Sequence, residues 1–371
     1  MSADPTSSAR PAVPSHERRA RLAWQLWLDG EVRFAPIALA GGSIVVLDRP
    51  EPTRTSHVRR VDDDGAKVWE TALPFGVCAG PARSEGFIAV PCQGGHVVIL
   101  DVQTGAIQGR PVSGNGEIVP PIAALGGRLW VRFAGRPGLP HRLVVRSLQR
   151  EHERLEVEDP LGSAIETHFR RTNHTIVATA EHSDGHVVLV GLDEAHASLL
   201  WRTRLEVKGV SDLWGAGGLI DLVCNDRVMS FDARSGTPLT TRFSGMNLEG
   251  ARLCGETLLV LTNGHAAPVG GPEDGAKPSA KRHLVSAFEC ANETPRGTLD
   301  GVQRVVAAGS DLLAVHLVDG PFALLELPDL TRVALPESDA LEDVTHAAFS
   351  WNRAWIVGHR GQSLSALDLP L

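Results

Sequence analysis

The sequence predicts an all-β chain folded as an eight-bladed β-propeller of four-stranded antiparallel blades, closed by an N-terminal strand, with seven blades as the alternative. Three observations carry this. First, one hairpin signal returns eight times: a short apolar run, a tight turn on Gly or Asn, then a second apolar run. It sits around residues 42, 86, 127, 173, 218, 255, 310 and 352. The mean spacing is about 44 residues, and four short strands in a period of about 40–50 residues is propeller spacing. Second, a different turn recurs between these hairpins, in which an apolar run ends in Asp and Gly follows, clearest at Asp101 with Gly105 and at Asp232 with Gly236. The carboxylate can accept backbone N–H bonds from the turn, and glycine supplies a positive φ. Asp62 repeats the pattern weakly, and Asp193 and Asp329 read as degenerate copies. Third, the run at residues 22–28 belongs to no repeat, whereas the last repeat stops at Asp368 one strand short. Pairing the two closes the ring and leaves no bare edge at the seam.

A chain of 371 residues could hold two domains, but closed all-β folds stay single at this length. The expected division is a disordered tail over residues 1–20, carrying Arg10, Arg18 and Arg19, and one propeller domain over residues 21–371. Residues 264–283 form a long surface loop within the sixth blade. Hydrophobic residues make up 43%, enough for a full core, and the net charge of −8 argues against a dedicated nucleic-acid binder. The 38 glycines and 24 prolines are scattered, which marks many turns and no linker. The five cysteines are odd in number and lie in or beside apolar runs, so they read as buried, reduced thiols of a cytoplasmic protein. No apolar segment approaches the ~18 residues of a membrane span, and the N-terminus lacks the apolar core of a secretory signal. The Ala-, Gly- and Arg-rich make-up points to a bacterial source.

Three tryptophans add a family resemblance. Trp27, Trp69 and Trp201 fall in fourth strands, the latter two seven and eight residues beyond Asp62 and Asp193. This Asp…Gly…Trp spacing resembles the quinoprotein-like (PQQ-type repeat) β-propeller superfamily, in which the Trp docks between neighbouring blades. The signature is degenerate, since Gln108 and Leu239 stand where Trp is expected. The resemblance implies the fold and little about activity. Quinoprotein dehydrogenases are longer, exported, and carry a vicinal cysteine pair above the cofactor, and no two cysteines are adjacent here. A non-catalytic member without cofactor is therefore expected. Propellers of similar type also accompany MoxR ATPases and von Willebrand A proteins, which implies an ATPase-containing complex as one family setting.

Local motifs point away from chemistry. The glycines after Trp214 precede a strand and not the helix N-terminus a phosphate loop needs. The run at residues 181–186 gathers His182, Asp184 and His186, but its Ser-Asp-Gly core reads as a solvated hairpin tip and not a metal site. Residues 150–159 alternate charge with Leu155 and Val157, the pattern of an outer strand with a wet face. An active site assembled in the channel from several blades stays open, as a metal-dependent hydrolase or lyase. The loops are more informative. Those joining second to third strands are long in blades one, three and six, and all leave the same face. They carry Arg49, Arg54, His57, Arg136, His141, Arg142, Lys277, Lys281, Arg282 and His283 against few acids (Glu51, Glu273, Asp274). The expected function is a non-catalytic scaffold for protein–protein interaction within a bacterial assembly, holding a partner with an acidic surface through this rim.

Overall fold

The computed structural model describes residues 19–48, 56–114, 116–135, 140–150, 152–162, 166–207, 209–244, 248–254, 257–263, 283–289, 295–318 and 320–369. Nearly every regular element is a β-strand, and every sheet is antiparallel. Middle strands such as Gly42–Asp48 and His96–Asp101 are buried along almost their whole length, because each sheet is covered on both faces by its neighbours. Double burial is why these segments read as continuous apolar runs. Fourth strands such as Arg154–Glu158 and Pro238–Arg242 are mostly exposed, so the charged outer strand expected at residues 150–159 is found.

The described strands form a propeller of seven hydrogen-bonded sheets. The first runs from Ile37–Leu39 through Gly42–Asp48 and Ser56–Val61 to Lys67–Ala72, with Glu31–Val32 as an extra pair for the second strand. The second begins at Ala82–Ser84 and the third at Ile118–Leu125. The fourth begins at Glu166–Thr172 and the fifth at Val210–Ala216. Each of these continues through three further strands in chain order. The inner strands touch one another around the ring, as Ile118–Leu125 touches both Ala82–Ser84 and Glu166–Thr172.

The count is therefore seven, the alternative, and not eight separate blades. The sixth sheet explains the difference: it has seven strands, and its middle one, Pro295–Ala308, is 14 residues long. The first part of that strand pairs with His283–Glu289 and the second with Leu312–Leu317, the two ladders meeting at Val302. Two sequence repeats thus share one continuous strand. The repeat signal counts hairpins and is blind to a junction that stays extended.

The seventh sheet closes the ring. Its chain-terminal strand Ser363–Asp368 pairs with Arg21–Trp27, from Arg21 opposite Asp368 to Trp27 opposite Ser363. Arg353 ties the closed sheet to the first, binding Asp368 Oδ1 at 2.5 Å and Asp63 Oδ1 at 3.1 Å.

Tryptophan sockets hold three of the seams, with one correction. Trp69 stands opposite Arg60, two residues before Asp62, and Trp201 opposite Gly191, two before Asp193. The residue so placed in the closing strand is Trp24, opposite Ala366 and two before Asp368, and not Trp27. Trp27 points the other way, 61% exposed, with its ring 4.6 Å from that of His359. An odd offset along a strand reverses the face. By the same register Thr240 and not Leu239 holds this place in the fifth sheet.

Each socket has the same parts. The indole N–H donates to the carbonyl just after the Asp of the next sheet's turn: Trp24 to Asp63 at 2.6 Å, Trp69 to Val102 at 3.0 Å and Trp201 to Ala233 at 3.0 Å. The ring then lies on that turn's glycine. A Cβ on Gly105 would come within 2.6 Å of the Trp69 ring, and Gly65 and Gly236 are as tightly covered. The turn itself is built as the sequence suggested: Asp101 accepts the N–H groups of Gln103 and Thr104, and Asp232 those of Arg234 and Ser235. The degenerate copy in the sixth sheet is Glu326 and not Asp329. Leu327 N–H bonds to the Asp311 carbonyl, as Val102 N–H bonds to that of Gly86, whereas Asp329 pairs with Arg296.

Candidate interaction faces

Antiparallel order puts the second-to-third connections and the links between sheets on one face, the loop face. The first-to-second and third-to-fourth turns lie on the other. The expected basic rim belongs to the loop face, and most of it (Arg49, Arg54, Arg136, Lys277, Lys281, Arg282) lies outside the described residues, as do the tail at residues 1–18 and most of the loop at 264–283. The four remaining residues differ in burial. His57 is buried within the strand Ser56–Val61, its Nδ1 3.2 Å from Glu70 Oε1, so it is no loop residue. His141 and His283 are half-buried. Arg142 is exposed at the start of its strand, opposite Glu158.

What fixes the edge of that face at the third sheet is a buried ion pair. Arg132 Nε lies 2.6 Å from Asp159 Oδ2 with both side chains fully covered, and Arg132 also donates to the Gly162 carbonyl. Asp159 accepts from Leu161 N–H, and its own N–H bonds to the His141 carbonyl, so the loop end before Arg142 is rigidly held. The same face carries acids that the sequence reading did not count, because it weighed the loops within blades and not the links between them. The link after Val333 brings Glu337, Asp339, Glu342 and Asp343, and Asp343 lies 3.4 Å from Arg360. Between the fourth and fifth sheets a cleft of about 380 Å³ is lined by Asp184, His186, Arg204, Asp226 and Arg227. Here His182 and His186 stack at 4.4 Å, and Asp184 bonds to His186, forming the hairpin tip expected. Burial, and then the neighbouring His186, hold the His182 pKa below its ordinary value.

Three arginines of the inner strands bond across to the neighbouring sheet. Arg83 donates to the Ala38 carbonyl, Arg170 to Asp212 at 3.2 Å, and Arg304 to the Val344 carbonyl at 2.8 Å. Among the described residues no group of three or more His, Cys, Asp or Glu side chains is placed to hold a metal, and no helix is long and apolar enough to cross a membrane.

The tight-turn face carries a feature the sequence reading missed. Trp351 sits at the first turn of the seventh sheet, 92% exposed. It borders a groove of about 320 Å³ between the sixth and seventh sheets, lined also by Asp311, Leu312, Glu326, Leu327, Val333 and Leu369. A large aromatic residue in a tight hairpin turn next to Asn352 was the available signal, since a two-residue tip has nowhere to bury an indole.

No protein-family model matches the chain, and no curated protein matches it in sequence. Solved structures do match in fold. BamB from Moraxella catarrhalis aligns with a TM-score of 0.61 at 14% identity, over 94% of this chain and 97% of that one. The C-terminal WD40 domain of Sif2 aligns at 0.62 with 11% identity, over 95% and 99%. A quinohemoprotein alcohol dehydrogenase from Pseudomonas putida HK5 aligns at 0.59 with 11% identity, over 95% and 76%. At such identities the likeness shows the propeller fold and not a shared activity.

Proposed function

We propose that this chain is a non-catalytic scaffold that holds a protein partner within a multi-protein bacterial assembly. The observation that carries the reading is the use made of the inner strands, where a propeller enzyme would assemble its chemistry. Arg83, Arg170 and Arg304 there serve as ties from one sheet to the next. These ties stiffen the ring, and a rigid ring with loops of unequal length on one face is suited to presenting a surface. WD40 and BamB folds among the structural matches support an interaction scaffold as the general class.

The finer reading is that the partner approaches the loop face and offers acidic groups to the basic loops of the first, third and sixth sheets. The setting is an ATPase-containing complex and the compartment the cytoplasm, which the buried thiols of Cys92 and Cys224 support. The test is native capture of the full chain at low salt, with identification and stoichiometry of what accompanies it. A companion in fixed ratio, released by added salt and weakened by R142E, is the expected result. A companion unaffected by R142E but lost with R128E would move the interface to the tight-turn face. A chain that stays alone at low salt would overturn the reading.

A further inference from the structure

The groove beside Trp351 is a tryptophan socket without its tryptophan. In the three filled sockets the residue two places before the turn's Asp, read across to the fourth strand, is Trp. In the sixth sheet Glu326 holds the Asp place, so the partner of Leu324 is the socket position, and it is Val333. The receiving side is equally reduced. The acceptor carbonyls in the filled sockets belong to Asp63, Val102 and Ala233. The Val102 and Ala233 N–H groups bond back to the first-turn carbonyls of Gly86 and Gly218. Leu369 N–H bonds to the Asn352 carbonyl in the same way, at 2.9 Å, so the Leu369 carbonyl stands where an indole N–H would be received. The third and fourth strands of the closing sheet are not joined by a turn; Arg19 and Ala20 run past the socket instead, and the Ala20 N–H bonds to the Ala334 carbonyl at 2.9 Å. With a small residue at the socket position, the described residues leave the groove of about 320 Å³ beside it.

The contrast with the seam inside the sixth sheet supports this origin. There the socket position is Gly297, opposite Ala287, and the turn backbone has moved in until a Cβ on Gly297 would lie 2.6 Å from the Asp329 carbonyl oxygen. That seam is closed by the backbone, and the seam at Val333 is not.

We propose that this socket receives an aromatic side chain, tryptophan above all, from a basic segment of a partner protein. The shape and acceptor come from the chain's own three filled sockets. The charge comes from Asp311, which lines the groove and favours Lys or Arg beside the inserted ring. Trp351 adds an exposed aromatic face on which such a cation can lie. The site is on the tight-turn face, so it stands or falls separately from the loop-face reading.

The test uses the full chain and two synthetic peptides, Ac-Gly-Lys-Trp-Lys-Gly-NH2 and its Ala-for-Trp counterpart, with binding followed by 19F NMR of 5-fluorotryptophan-labelled protein. The Trp peptide should shift the Trp351 resonance and bind at least about tenfold more tightly than the Ala peptide, the scale of an aromatic anchor. V333W, which fills the socket from within, should abolish that preference, and D311N should weaken binding and reduce its salt dependence. W351A, altering an exposed tip and followed by isothermal titration calorimetry since it removes the reporter, keeps the test open if V333W folds poorly, and should also weaken binding. Equal binding of the two peptides, or unchanged binding by W351A and D311N, would overturn the proposal. So would concentration-dependent self-association lost in W351A, which would make a second copy of the chain the occupant.

Discussion

Removing one docking ring tests the seam account most sharply. Trp69 is 9% exposed, donates to the Val102 carbonyl at 3.0 Å, and lies on Gly105. Burial of an aromatic of about 150–250 Å² is worth roughly 4–6 kcal/mol, and emptying such a site costs about 3–5 kcal/mol. Trp69→Ala should therefore lower the denaturant midpoint strongly, read by far-ultraviolet circular dichroism so that the lost fluorophore does not enter. Gly105→Ala should also destabilise, for two reasons: its φ of 71° and the 2.6 Å approach of its Cβ to the ring. With Trp69 already gone the clash with the ring vanishes, leaving the cost of a non-glycine positive φ, about 1–2 kcal/mol, and the 2.9 Å approach to Thr71 Oγ1. The double mutant should thus be more stable than the two single effects added, with coupling of about 1–3 kcal/mol. Strict additivity would show that ring and glycine do not meet. A Trp69→Ala midpoint equal to that of Trp351→Ala, where no more than about 0.5 kcal/mol is expected, would refute the socket reasoning altogether.

Deleting residues 1–18 should leave the fold intact, whereas deleting residues 1–30 should expose the Ser363–Asp368 edge and cause aggregation, checked by light scattering. Asp101 and Asp193 are held below the usual carboxylate range, first by the N–H groups of Thr104 and His196 respectively. Their contribution is present above the unfolded value near 3.8 and is lost as pH falls through the folded values, so Asp101→Asn should flatten the loss of stability below about pH 4. Burial pushes the Cys92 and Cys224 thiols up to about 12. In a C290S chain iodoacetamide at pH 8 should therefore label the exposed Cys78 well before either, by peptide mass analysis. Arg132→Met should cost about 3–5 kcal/mol because it strands the buried Asp159 charge, and Arg132→Met with Asp159→Leu should recover much of the loss.

Most of the scaffold was legible because turns are local. The Gly and Asn hairpins, the Asp101 and Asp232 turns and the closing strand each depend on a few adjacent residues whose backbone demands are visible in the sequence. What failed depended on register or on a junction. Trp27 was read for Trp24 because strand faces alternate, and the ladder slips between Leu22 and Trp24, which no local signal announces. Eight repeats became seven sheets because Pro295–Ala308 stays extended through a link expected to turn. His57 was read as a loop base and is a buried strand residue paired with Glu70, since the loop's end could not be placed to within two or three residues. The groove at Val333 was illegible for a different reason. It exists only where two remote strands meet, and its meaning appears only beside the three sockets that are filled.

The central claim, that the ring serves as a scaffold for a partner, is tested most directly by the native mass of the tagged full chain isolated from its own cells at low ionic strength. The account predicts a complex of fixed stoichiometry with a second protein, reduced to the monomer mass by R142E or by salt. A monomer mass at low ionic strength, with the chain saturating its own pool and no companion in fixed ratio, would contradict it.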